Sequence, residues 1–277
     1  MHCHDRTHSF VGVQSEKEER GAMAVQRVLI GGITGKTGKA VAQYLHQAPV
    51  VELVGAIGNE SVGQDLGELL EQKRNGRRVY SDIPSALAET AADVYVDFTT
   101  PEAGEIHLRE AAAYGLGLLV GTTGLKREIV EELTANVERA GGFAMITSNF
   151  SIGVMVLAQA AKMLRGYFGQ SNVQIIETHH TTKVDQPSGT ALYLQKVICD
   201  EPEQSVPIQS RRVAERVSRH QLVACVHGEI LTLTHEVTDP TAFGSGVLYV
   251  LEQAGGRSGV YHDLASFVQE EENSKLT

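Results

Sequence analysis

The sequence predicts an α/β protein in which a parallel sheet, covered by helices on both faces, precedes a second α+β region with a mixed sheet. Three observations carry this. Short β-branched runs alternate with helical stretches from Val25 to Ile146. Several of those runs end at glycine, where a chain turns sharply from strand into helix. Past Asn149 the rhythm stops, and a long helix leads into strands spaced as antiparallel neighbours.

The elements follow in order. Val28-Leu29-Ile30 reads as a buried parallel strand ending in Gly31-Gly32, and a helical pattern runs from about Gly38 to Leu45. Val51 to Ile57 is a second strand, closed by Gly58-Asn59. Asp93 to Phe98 is another, with Val94, Val96 and Phe98 apolar. Thr100-Pro101-Glu102 supplies an N-cap with proline at the first helical position, and Gly115 supplies the stop. Leu118-Leu119-Val120 enters Gly121-Thr122-Thr123-Gly124, a helix spans about Lys126 to Ala140, and Phe143 to Ile146 completes the series. The second region opens with a helix from Ile152 to about Leu164 and a strand from Val173 to Thr178. Another helix starts near Ser188. Leu222–Val226 and Ile230–Thr234 pair around a His227-Gly228-Glu229 turn, and a last helix, about Gly244 to Gln253, packs back on the first domain. The expected domains are 25–150 with 241–277, and 151–240, after a disordered tail over 1–24.

Bulk properties narrow the function. A formal charge of −10 argues against broad nucleic-acid binding, and no apolar run is long enough to span a bilayer. The three cysteines, Cys3, Cys199 and Cys225, fit neither a disulfide framework nor a metal ribbon, and suit a reducing compartment. Cys199 and Cys225 are expected as small core residues. No apolar segment follows the start and the N-terminal stretch is acidic, so neither a secretory signal nor a transit peptide is expected, and a cytoplasmic location is. His2-Cys3-His4-Asp5 with His8 matches no ligand spacing, so no metal is expected.

Gly32-Ile33-Thr34-Gly35-Lys36-Thr37-Gly38 follows a strand and opens a helix. Gly32 makes the tight turn, Gly35 lets backbone approach a pyrophosphate, and Gly38 lets helix and strand pack closely. The helix N-terminus offers unpaired N–H groups to the phosphates. With strand, loop, helix and second strand inside one βαβ length, this predicts a Rossmann-type dinucleotide domain. It is not a P-loop, because the glycine before Gly35-Lys36-Thr37 lies too close for the four-residue spacer. The end of the second strand, Gly58 or Asn59, carries no carboxylate for a ribose 2′-hydroxyl. Lys36 and Lys39 can face a 2′-phosphate instead, so the expected cofactor is NADPH, with NADH also usable.

The densest chemistry lies between Glu177 and Ala191. His179, His180 and Lys183 precede Ser188-Gly189-Thr190 at a helix start. Histidine relays protons near neutrality, lysine supplies a cation and a proton, and a helix N-terminus receives a carboxylate. A capped polar loop reads equally well from composition alone.

The run His179-His180-x-x-Lys183-x-Asp185-x-Pro187-Ser188-Gly189-Thr190-Ala191 resembles the signature of the dihydrodipicolinate reductase family. Gly32-x-x-Gly35-Lys36-x-Gly38, Asp97-Phe98-Thr99-x-Pro101, Gly121-Thr122-Thr123-Gly124 and Ser148-Asn149-Phe150-Ser151-x-Gly153 are similar to it in the same order. The resemblance runs from about Val25 to the end and thins between Glu201 and Val226. It implies reduction of a small cyclic dicarboxylate by NADPH or NADH, a homotetramer built through the second sheet, and a set of roles. Gly32 through Thr37 would cradle the pyrophosphate. Phe98, Gly121, Thr122, Thr123, Thr147, Ser148, Asn149 and Phe150 would line the nicotinamide and ribose. His179 and Lys183 would deliver protons, and His180, Lys183, Ser188, Gly189 and Thr190 would hold carboxylates.

Two departures leave other readings open. The segment Val206–Val226 is short for the family, removing one or two strands and bearing on the tetramer. Thr238-Asp239-Pro240 stands where the family has Ser-Arg. Arg211, Arg212 or Arg216 could compensate, although a solvated basic face is the expected role. A reductase of another small cyclic imine, or a dinucleotide-binding protein without turnover, stays compatible with these residues.

Overall fold

Strands apolar on both faces must be covered on both, and the computed structural model builds the first half of the chain that way. It describes residues 25–169, 172–199, 205–226 and 228–268. The tail over 1–24, with its His2–His8 cluster and Cys3, lies outside them.

Along the chain run β1 (Gln26–Gly31), α1 (Lys36–His46), β2 (Val51–Ile57), α2 (Leu66–Leu69), β3 (Val79–Tyr80) and α3 (Ile83–Glu89). There follow β4 (Val94–Asp97), α4 (Pro101–Ala113), β5 (Gly117–Val120), α5 (Arg127–Arg139) and β6 (Phe143–Ile146). The second region holds α6 (Ile152–Phe168), β7 (Val173–His180), α7 (Gly189–Ile198), β8 (Ile208–Val213), β9 (Ser218–Val226) and β10 (Glu229–Glu236). The chain then returns through α8 (Ala242–Gln253) and β11 (Gly259–Tyr261).

Seven strands form a parallel sheet in the order β11-β6-β5-β4-β1-β2-β3. Alternation within β1 sends Val28 and Ile30 to a core shared with Val41, Leu45 and Val250, and Leu29 to the opposite core with Tyr95, Leu108 and Leu133. Each such buried aliphatic side chain stabilises the fold by roughly 1.5–3 kcal/mol. Successive strands run outward from β1 through β2 and then outward from β4, so the order reverses between β1 and β4. Ligands of open parallel sheets bind at the carboxyl ends beside such a reversal. α4 begins as the sequence predicts, with Thr100 Oγ1 accepting from Ala103 N at 3.4 Å. α8 packs against α1, and Gly246 lets it close on the Phe150 carbonyl, where a Cβ would stand 1.7 Å from the oxygen.

The second sheet has the order β10-β9-β7-β8, with β7 and β8 parallel and the other pairs antiparallel. α6 and α7 cover one face, where Leu157, Ala161, Leu194 and Ile198 meet Val173, Ile175, Leu222 and Ala224.

The structure corrects several expectations. β7 continues to His180, so the paired histidines end a strand instead of occupying a loop. α6 runs one turn past Leu164. Glu229 lies inside β10, paired with Val226, which leaves only His227 and Gly228 to connect β9 and β10; His227 falls outside the described residues. Cys225 is exposed on β9, not a core residue, while Cys199 is half-buried against the α6–α7 core. Elements α2, β3, α3, β8 and β11 carry no pattern long enough to read in the sequence. Among the described residues no helix is long and apolar enough to cross a membrane.

Candidate active site

The loop after β1 lies at the reversal point. Gly32 adopts φ +83°, and a Cβ there would stand 2.1 Å from the Phe98 carbonyl oxygen. Gly38 is equally constrained, since its Cβ would meet Gly32 O at 2.2 Å. These contacts bring the start of α1 directly over the strand ends. Gly35 caps α1 with no side chain, and the first turn holds no acidic residue, so no cap side chain occupies its first N–H groups. Thr34, Gly35 and Lys36 are exposed and Thr37 is half-buried, whereas the Ile33 side chain is in the core and offers only its backbone. Lys39, expected as a partner for a 2′-phosphate, instead pairs with Glu71 at 2.6 Å. Lys36 remains exposed, and Gly58-Asn59 does end β2.

Across the reversal, Asp97 at the end of β4 is fully buried and organises the opposite wall. It accepts from Thr122 Oγ1, from Thr99 Oγ1 at 2.9 Å and from Tyr95 OH at 2.9 Å. Burial pushes its carboxyl above the usual range, and those three hydroxyls oppose the shift. Thr122 therefore spends its hydroxyl on Asp97 and presents its remaining surface to the cleft. The Phe98 ring lies over Gly121, where a Cβ would stand 2.2 Å from Cε1, and tilts against Phe150 at 5.8 Å.

A cavity of about 340 Å³ opens between these walls. Thr37, Phe98, Gly121, Thr122, Thr123, Ser148, Asn149 and Phe150 line it, and so does Lys183 from the second region. Thr99, quoted in a motif but given no role, and Phe243 on α8, which no sequence signal singled out, complete the lining. Thr147 borders a separate crevice of about 30 Å³ with Ser148 and Tyr193.

At the end of β7, alternation puts Glu177 and His179 on one face and His180 on the other. Glu177 is fully buried; burial alone would raise its carboxyl, but hydrogen bonds from Ser210, Arg212 and His179 hold it below the usual range. His179 Nδ1 donates to Glu177 Oε2. Burial pushes the His179 imidazole down, and the Glu177 carboxylate works against that shift. Arg212, predicted as part of a solvated face, has a side chain only 15 % exposed and donates to Glu177 Oε1 at 2.9 Å. His180 Nδ1 accepts from the Thr182 backbone N–H at 3.2 Å and lies 2.8 Å from its hydroxyl; neither His179 nor His180 is among the residues lining the cavity, where Lys183 alone represents this segment.

Lys183 Nζ pairs with Asp185 at 2.9 Å and is one-third exposed, so a substrate anion can replace the carboxylate. Ser188 caps α7, accepting from Ala191 N at 3.2 Å, and lies 3.1 Å from His220 Nε2. Its hydroxyl is thus committed, and Ser188 can reach a ligand only through its backbone. Gly189 is exposed with open space before it, and Thr190 Oγ1 accepts from Asn149 Nδ2 at 2.9 Å. Ser151, which caps α6, similarly meets His235 Nε2 at 3.1 Å. Burial pushes His235 down and His220 to about 3.

Glu177, His179 and His220 place donor atoms within 4.8 Å of one another, near enough for a metal ion. The Arg212 cation on the same carboxylate opposes a dication there. A dinucleotide fits better: an uncapped helix start, glycine-floored walls and an apolar Phe98–Phe150 surface converge on one cleft. Sequence reasoning missed Asp97, Glu177, Arg212 and His220 as organisers. Asp97 stood inside one motif and Glu177 at the edge of another, neither with a role assigned.

Two family models match the chain. The dihydrodipicolinate reductase N-terminus model covers residues 26–150, and the C-terminus model of that family covers 153–266. The 4-hydroxy-tetrahydrodipicolinate reductase of Bacillus subtilis is 31 % identical over 248 residues, 82 % of this chain and 92 % of that one. Its counterpart from Synechocystis is 32 % identical over 265 residues, 86 % of this chain and 96 % of that one. Among solved structures, a dipicolinate-bound dihydrodipicolinate reductase from Paenisporosarcina superposes with TM-score 0.73 at 25 % identity, covering 87 % of this chain and 99 % of that one. A D-galactose-1-dehydrogenase from Rhizobium etli shares the fold, with TM-score 0.60 at 13 % identity over 89 % of this chain and 93 % of that one.

Proposed function

The chain belongs to the dihydrodipicolinate reductase family, and from that premise we propose that it reduces 4-hydroxy-tetrahydrodipicolinate, through dihydrodipicolinate, to tetrahydrodipicolinate in diaminopimelate and lysine biosynthesis. It is an NAD(P)H-dependent oxidoreductase. The observation that carries the substrate reading is Lys183 lining the same cavity as Phe98, Gly121 and Asn149. A cation for a carboxylate and a floor for a flat ring then face one space.

In this reading residues 25–150 and 241–277 hold the dinucleotide, and 151–240 hold the substrate. The backbone from Gly32 to Gly38 receives the pyrophosphate. Phe98, Gly121–Thr123 and Thr147–Phe150 border the nicotinamide and ribose. Bound there, the cofactor supplies a hydride to the conjugated imine that forms when the substrate loses water. An electron-rich enamine results, and the neighbouring carbon must take a proton. His179, with Nδ1 held by Glu177, exchanges that proton through Nε2. Lys183 anchors a carboxylate and serves as a second donor, while the Gly189 and Thr190 N–H groups receive the same anion at the start of α7. His180 is assigned to the rim, where it contributes less.

Three finer points belong to the same proposal. NADPH is preferred over NADH, because no carboxylate ends β2 and Lys36 is exposed beside the phosphate loop. The chain assembles as a homotetramer through the second sheet, whose strand β10 is a sheet edge with Ile230 73 % and Leu231 39 % exposed. It works in the cytoplasm, in keeping with cysteines that show no disulfide pattern.

Dipicolinate, bound by the Paenisporosarcina relative, supplies the test. Calorimetry with NADPH present should show one dicarboxylate per protomer, with binding lost in Lys183→Ala. Equal binding in that variant would remove Lys183 from the substrate site.

A further inference from the structure

β8 brings Arg212 against Glu177, beside the His179 ring. Its Nη1 donates to Glu177 Oε1 at 2.9 Å and to Arg211 O at 2.9 Å, its Nη2 to Asp185 O at 2.6 Å, and its Nε to Lys183 O at 3.3 Å. One planar guanidinium therefore touches the carboxylate that holds His179 and the backbone that carries Lys183. Glu177 is fully buried with one carboxylate oxygen on His179 and the other on Arg212, so both of its oxygens are engaged within the protein. We propose that Glu177 and Arg212 are positioning residues that couple the two proton-handling groups, Glu177 fixing the His179 ring and Arg212 fixing both Glu177 and the 183–185 loop. The proposal rests on the roles given above to His179 and Lys183.

An ionised Glu177 can only accept, so the shared proton stays on Nδ1 and leaves Nε2 as the exchanging atom. A base oriented by a third group is the general arrangement of activated proton-transfer sites. Arg212, meanwhile, holds two carbonyls of the loop, so Lys183 can exchange Asp185 for a substrate anion without the backbone moving. A lysine in its place has no rigid fork to span these acceptors. The charged and titratable groups facing His179 are Glu177 on its own strand, Lys183 in the following loop, Arg212 on β8, and His220 on β9 with His235 behind it on β10.

The test uses the full-length enzyme with Glu177→Gln, Arg212→Lys and, as control, the exposed Arg211→Gln. The measurements are imidazole NMR titration and the pH profile of kcat, with KM for substrate and cofactor. Glu177→Gln should lower kcat about 10-fold or more. It should also move the His179 titration and the kcat profile down by about 1 unit or more, since a neighbouring carboxylate favours the imidazolium. Arg212→Lys should raise the substrate KM while leaving the cofactor KM unchanged. Arg211→Gln should change none of these. An unmoved His179 titration in Glu177→Gln would overturn the proposal and make Glu177 a core residue only. Should Glu177→Gln fail to fold, an unchanged substrate KM in Arg212→Lys would overturn it equally. The NMR titration needs no turnover, so a wild-type enzyme inactive on the assigned substrate would count against the proposed reaction and not against this coupling.

Discussion

Asn149 Nδ2 donates to Thr190 Oγ1 at 2.9 Å, tying the segment that leaves the parallel sheet to the first turn of α7. The same Asn149 lines the cavity and accepts from Ser151 N at 2.8 Å, so one side chain links the cavity wall to the starts of α6 and α7. Asn149→Ala removes these bonds, each worth about 1 kcal/mol. We expect kcat/KM to fall about five- to tenfold, mostly through a higher substrate KM, as steady-state kinetics would read it. Unchanged constants would mean that the link does not set the cleft.

In the proposed mechanism Lys183→Ala takes away an anchor and a proton donor together. The loss should be at least ~3 kcal/mol of transition-state stabilisation, read from kcat/KM. His180→Ala should cost less than about tenfold, because His180 sits on the opposite face of β7 and is tied to Thr182. An equal loss in both variants would contradict this division of labour.

Gly38→Ala tests the phosphate loop through stability. Its Cβ would meet backbone at 2.2 Å from Gly32 O, and backbone cannot swing aside as a side chain can. Denaturant unfolding should show a loss of about 1–3 kcal/mol together with weaker dinucleotide binding. Full stability with full binding would show that the loop has room to spare.

Buried histidines set the acid limb of stability. The folded pKa of His220 lies at about 3, below its ordinary 6.5, and His179 and His235 are shifted down as well. Between those values the unfolded chain binds protons that the folded chain refuses. Stability is therefore complete above pH of about 6.5 and declines as pH falls toward 3, by a few kcal/mol. Melting temperatures should drop steadily below pH 6.5, and less steeply in His220→Gln. A flat profile from pH 7 to 5 would contradict the buried neutral state.

The parallel sheet was legible where strands are buried on both faces: β1, β2 and β6 each show an unbroken apolar run that local pattern reveals. β3 has two residues and β8 reads Ile-Gln-Ser-Arg-Arg-Val, so neither contrasts with its surroundings. Within the site, the glycine loop and the Lys183 segment were legible because their spacing is local. Glu177 with Arg212 was not, since the pair is joined across 35 residues of chain by the pairing of β7 with β8. The two histidines were read as part of a loop for a related reason. Adjacent in sequence, His179 and His180 look like one cluster, and only the extension of β7 separates their directions.

NADPH and NADH oxidation should be followed with purified protein and freshly generated 4-hydroxy-tetrahydrodipicolinate, beside Lys183→Ala. The proposed reaction requires brisk turnover, faster with NADPH, that the variant loses. Dinucleotide binding without turnover would contradict it, and would mean that Thr238-Asp239-Pro240 and the short 206–226 segment have redirected the site to another cyclic imine or ended catalysis.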